Sequence, residues 1–151
     1  MLERKKAQDA AILVQLRSLQ KRMEESALID AQTRAAARAA EVEHALCAVN
    51  EALELWSSAA LDGDVLNPDR LALISADVHR RDQDLATAQD LQRREDEAAA
   101  RQEARVAESA SRLEQSEEIA KGWNRRLARR LEERRQTKLE ERTTYAWCAN
   151  D

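Results

Sequence analysis

The sequence predicts an all-α fold: two long helices in an antiparallel coiled-coil hairpin, the second helix longer than the first. Three observations predict it. Ala, Leu, Glu, Arg and Gln dominate the composition, and these are strong helix formers. Apolar residues recur at alternating steps of three and four over much of the chain, as a coiled-coil seam requires. The only proline, Pro68, and one of the two glycines, Gly63, fall together in the stretch Leu61–Pro68. Glycine tolerates the backbone angles of a tight connection, and proline is excluded from helix interiors.

Asn67 before Pro68 reads as an N-cap followed by a first-turn proline, so a helix starts there. The expected layout of the single helical-hairpin domain, residues 1–151, is a helix over about 2–61, a turn over about 62–67 and a helix over about 68–145. A connector of about six residues is typical between helices, and short connectors favour antiparallel neighbours. Phenylalanine is absent and aromatic residues make up 3% of the chain. That is too little bulky apolar material for a globular core of this length, but it suits a thin two-helix seam. Disorder is the competing reading of a chain with 36% charged residues; the richness in helix formers favours helix.

In the first helix the four-three spacing suggests a seam of Ile12, Leu16, Leu19 and Met23, followed by one of Ala35, Ala39, Val42, Leu46, Val49, Leu53, Trp56 and Ala60. The two are out of phase, and four-residue steps through Ala27, Ala31 and Ala35 would join them by a stutter. In the second helix Leu71, Val78, Leu85, Gln92, Ala99, Val106, Leu113, Ala120 and Leu127 recur every seventh residue. Their companions are poorer: Ile74, Arg81, Ala88, Glu95, Gln102, Ser109, Ser116 and Trp123. A turn centred near Asp64 brings Leu113 opposite Leu16 and Trp123 opposite the region of Lys5. The second helix then overhangs the first by about 20 residues, near 30 Å if helical.

Charge is distributed unevenly. Residues 1–22 carry six basic and two acidic side chains, residues 121–151 nine and five, and the middle ten and twenty-two. A hairpin gathers the two basic segments at one end, away from the acidic turn half, and such polarity bears on partners. Arg4, Lys5, Lys6, Arg125, Arg126, Arg129, Arg130, Arg134, Arg135 and Lys138 are the candidate contacts for an acidic protein partner at that end, with Trp123 as an apolar anchor. Tryptophan and arginine are favoured at interface hot spots. The arginine spacing places cations on more than one side of the helix. Interleaved glutamates and the net charge of −4 argue against nucleic acid. Trp56, Val65 and Leu66 are candidate contacts in the turn half.

There is no glycine-rich phosphate loop, no Cys-x-x-Cys pair and no HExxH motif, and a two-helix structure offers no pocket to tune a catalytic carboxylate. The expectation is therefore a non-enzymatic protein with no cofactor and no metal; His44 and His79 read as exposed histidines. No run of about 20 apolar residues could span a bilayer, the start Met1-Leu2-Glu3-Arg4-Lys5-Lys6 does not read as a signal peptide, and a cytoplasmic location is expected. Cys47 and Cys148 are too few for a disulfide framework.

Length, the hairpin with its Asn67-Pro68 restart, the long second arm and the terminal clusters Arg4-Lys5-Lys6 and Arg125-Arg126-x-x-Arg129-Arg130 resemble the coiled-coil stalk proteins of type III secretion, the FliJ and YscO family. That resemblance implies a central stalk like a rotary-ATPase shaft. It would sit in the pore of an export ATPase hexamer at its basic end and reach an export gate protein with its turn half. The implied location is the base of a membrane secretion apparatus, with membrane contact only through partners. Export chaperones are further implied partners, and a monomer is expected. The family's gate-binding residues are partly aromatic, and here only Trp56 stands in for them. The alternative is a generic coiled-coil scaffold or chaperone that dimerises with another helical protein.

Overall fold

Helix α1 runs Leu2–Leu61 and helix α2 runs Pro68–Cys148, 60 and 81 residues respectively. They come from a computed structural model, which describes residues 2–61 and 68–148. The pair forms the expected helical hairpin with the second helix longer. The connector, with the Asn67 cap and the contact candidates Val65 and Leu66, lies outside the described residues. Pro68 opens α2 as the sequence suggests, with Asp69 in the first turn; Glu3 has the same place in α1. An acid there complements the positive end of the helix dipole. Gly122 passes through α2 without a positive φ, and a Cβ at that position would meet nothing within 4 Å.

The described residues divide into two packed units, 2–24 with 106–148 and 25–105. In the first unit Ala7 and Ala10 of α1 and Ser116 of α2 are buried. Val14, Arg17 and Lys21 are half-buried along α1, and Val106, Leu113, Ala120, Trp123 and Leu127 along α2. Ser116 satisfies its hydroxyl within its own helix by donating to the Arg112 carbonyl at 2.8 Å. An interior hydroxyl left without a partner would be costly.

In the second unit Ala31, Val49 and Ala52 are buried, against a half-buried series of Leu71, Ile74, Val78, Arg81, Leu85, Ala88, Gln92, Glu95 and Ala99 on α2. Two polar members of that series reach across to α1. The Arg81 Nη1 donates to the Ala48 carbonyl at 3.0 Å while its Nε donates to Asp77 at 2.8 Å. Glu95 accepts from Arg34 Nε at 3.3 Å. Partners with rising numbers on α1 have falling numbers on α2, so the packing is antiparallel. Hydrogen bonds from Arg80 and then Arg81 hold the Asp77 carboxyl below the usual carboxylate range. Lys121 does the same for Glu118, and Glu118 in return raises Lys121.

The seam of α2 is the expected one, with both seven-residue series turned inward. The seam of α1 is so only in part: Ala35, Ala39, Val42 and Val49 are turned inward as expected, whereas Leu46, Leu53, Trp56 and Ala60 and the whole earlier series are exposed. The main inward series is Glu3, Ala7, Ala10, Val14, Arg17, Lys21, Glu24, Leu28, Ala31, Ala35, Arg38, Val42, Ala45, Val49 and Ala52, with Ala39 and Ala48 half-buried beside it. The main series follows one unbroken alternation of fours and threes, without a stutter. Ile12, Leu16, Leu19 and Met23 instead point away from α2, with 54%, 57%, 54% and 72% of their surfaces exposed. Leu46 and Leu53 are also exposed, as is Leu16, which register alone set opposite Leu113.

The physical reason is phase. The repeat of α2 is unbroken from Leu71 to Leu127, and a facing helix must share its supercoil to stay in contact. A stutter in α1 alone would rotate its seam off that surface. Alanine on the inside permits close approach of the backbones, so many dispersion contacts replace a few large side chains. On α1 the large apolar residues Ile12, Leu16, Leu19, Met23, Leu46 and Leu53 remain outside.

Candidate partner-binding end

All eleven residues proposed from the sequence for the basic end, Arg4, Lys5, Lys6, Trp123, Arg125, Arg126, Arg129, Arg130, Arg134, Arg135 and Lys138, fall in the first unit. Their positions follow from the seam. Trp123 and Leu127 are its last apolar members on α2 and are half-buried. Lys6 Nζ lies 4.8 Å from the centroid of the Trp123 ring, and Arg126 Cζ lies 4.9 Å from it. Both distances are within cation–π range. The tryptophan anchors the first turns of α1 and holds one cation from each helix.

One helical turn further, Arg130 Nε pairs with Glu3 Oε1 at 2.8 Å, and the Glu3 side chain is only 17% exposed. Glu3, Arg4, Leu127, Arg130, Leu131 and Arg134 line a shallow groove. Glu3 escaped the sequence reading, which counted the first segment for its basic residues. Its place as the one acid of the first turn was the available signal.

Beyond Leu127, every described side chain from 128 to 143 is exposed. α2 continues there without a facing helix among the described residues. Arg135 lies 3.9 Å from Glu132 and Arg125 lies 4.0 Å from Glu118. Pairs this exposed contribute little and leave the cations accessible. Arg4, Lys5, Arg129, Arg134 and Lys138 have no ion pair among the described residues. The extension also exposes Leu131, Leu139 and Tyr145. It thus presents exposed arginines interleaved with Glu132, Glu133, Glu140 and Glu141, with isolated apolar side chains between.

The turn-half candidates are less well served. Trp56 lies in the second unit, 40% exposed, and Val65 and Leu66 lie outside the described residues. Among the described residues no group of three His, Cys, Asp or Glu is placed to hold a metal ion. His79 hydrogen-bonds Gln83 at 3.0 Å, and Cys47 is a free, exposed thiol. No described helix is long and apolar enough to cross a membrane. Comparison with protein families, curated proteins and solved structures finds no match to this chain.

Proposed function

We propose that this chain is a non-enzymatic central stalk of a type III secretion export apparatus, linking an export ATPase hexamer to the membrane export gate. The observation that carries the reading is the arginine-rich extension of α2, exposed on every side from 128 to 143. A shaft inside a ring is contacted from all directions by the surrounding subunits, and cations distributed around a helix meet that requirement. Trp123, held by Lys6 and Arg126, stiffens the base from which the extension projects. The acidic middle of the sequence leaves the turn half for a different partner, the gate, and export chaperones are further candidates. On this reading the protein acts at the cytoplasmic base of the apparatus and meets the membrane only through its partners.

The test is binding to the candidate hexameric ATPase with Arg129, Arg130, Arg134 and Arg135 all replaced by glutamate. Reversing four charges across a charge-complementary interface is expected to slow association and abolish capture at physiological salt. The helicity of the extension should persist, because these side chains are exposed, and a variant that keeps Arg130 preserves its pair with Glu3. Undiminished capture by the reversed variant would remove the basis for the stalk assignment.

A further inference from the structure

The face of α1 turned away from α2 carries a second seam. Ile12, Leu16, Leu19 and Met23 follow the steps four, three, four and are all exposed. They occupy the positions of the heptad farthest from the hairpin interface. The segment Ala10–Gln20 around the first three contains a single charged residue, Arg17, in a chain with 36% charged residues, and Met23 follows between Arg22 and Glu24. Arg17 is half-buried and bonds Gln20 on its own helix at 2.9 Å. Depletion of charge around clustered apolar side chains marks the centre of a protein interface. The coiled-coil spacing makes the occupant a helix.

We infer that the occupant is a second copy of this chain, with the outer face of α1 packed antiparallel on the same face of α1 in the other copy. The sequence of that face is self-complementary in this orientation. The same spacing continued along α1 places Lys5 and Asp9 before the apolar residues and Ser26 and Asp30 after them. A two-fold axis between Leu16 and Leu19 sets Leu16 against Leu19 of the second copy and Ile12 against its Met23. Asp9 then faces Ser26, a hydroxyl donor, and Lys5 faces Asp30, an opposite charge. All four of these polar side chains are exposed. Parallel pairing would instead set Lys5 on Lys5, Asp9 on Asp9 and Asp30 on Asp30. Like charges facing one another are unfavourable, so the charges select the antiparallel arrangement. An isologous contact of this kind closes at two copies.

Two heptads of apolar contact form a small interface, which makes the dimer reversible and concentration-dependent. The monomer expected from the stalk resemblance is replaced here by a reversible dimer. The inference does not rest on the stalk reading, since its apolar contacts use none of the arginines of the extension.

Sedimentation equilibrium over micromolar to millimolar concentration tests it. The mean mass of the intact chain should rise from one copy toward two. Leu16→Glu with Leu19→Glu should hold the mass at one copy with unchanged helical circular dichroism. Lys5→Asp and Asp30→Lys should each weaken the dimer, and the two together should restore it. A chain that stays monomeric throughout, leaving the stripe to a different helix, would overturn the proposal. So would a dimer indifferent to Leu16→Glu with Leu19→Glu, or a charge-swapped pair that fails to recover.

Discussion

Replacing Ala52 by leucine is expected to destabilise the protein by about 1–3 kcal/mol, the usual cost of forcing extra carbons into a packed seam. Ala52 is the most buried of the core side chains, 1% exposed, followed by Ala31 at 3%. A larger group there must push α1 from α2 or leave its rotamer, and either response loses contacts along neighbouring turns. Ala31→Leu should behave alike. Leu16→Ser changes a side chain that faces away from α2, and its effect should stay within about 0.5 kcal/mol under dilute conditions. A reading in which large residues line the seam expects the reverse order. Thermal or urea unfolding followed by circular dichroism distinguishes the two.

Trp123→Ala is expected to cost about 2 kcal/mol, from partial loss of an apolar burial term and two cation–π contacts. The ring is half-buried, with Lys6 at 4.8 Å and Arg126 at 4.9 Å. Removing it leaves the first turns of α1 with the Glu3–Arg130 pair as a charged link to α2 among the described residues. Fraying of α1 should therefore accompany the loss, visible as faster amide exchange over residues 3–10. Trp123→Phe keeps an aromatic face and should retain about half of the stability. An alanine variant as stable as the parent, with unchanged exchange near Lys6, would show that the ring does not hold the two helices together.

α2 was legible in the sequence because its pattern admits one solution. Leu71, Val78, Leu85, Val106, Leu113 and Leu127 keep one phase, and no rival series of comparable length competes. Pro68 marks its start for a local steric reason, independent of any tertiary contact. α1 carries two rival patterns, one bulky and one alanine-rich. Hydrophobic size favours Ile12, Leu16, Leu19 and Met23, whereas the hairpin chooses Ala7, Ala10, Val14 and Ala31. Size measures the tendency to leave water, but not which face keeps phase with a partner helix. That information lies in the unbroken repeat of α2, so although Ala35, Val42 and Val49 could be read from α1 itself, the first half of its seam is legible only when both helices are read together.

The same distinction applies at the basic end. Arg129, Arg134 and Arg135 were found by counting charge, and they stand exposed on the extension. Trp123 was assigned both to the seam and to a partner surface, and its half-buried ring between two cations serves the hairpin first. Glu3 was invisible to a charge count because its role depends on the tertiary position of Arg130.

The most direct measurement of the central claim is a thiol-alkylation scan of α1 in dilute solution, in a background with Cys47→Ser and Cys148→Ser. Single cysteines at positions 7, 10, 31 and 52 should react slowly, at rates limited by opening of the hairpin. Cysteines at positions 12, 16, 19 and 23 should react at the rate of an unhindered exposed thiol. Rapid reaction at 10 and 31 together with protection at 16 and 19 would contradict the alanine seam and return the large apolar residues to the interior.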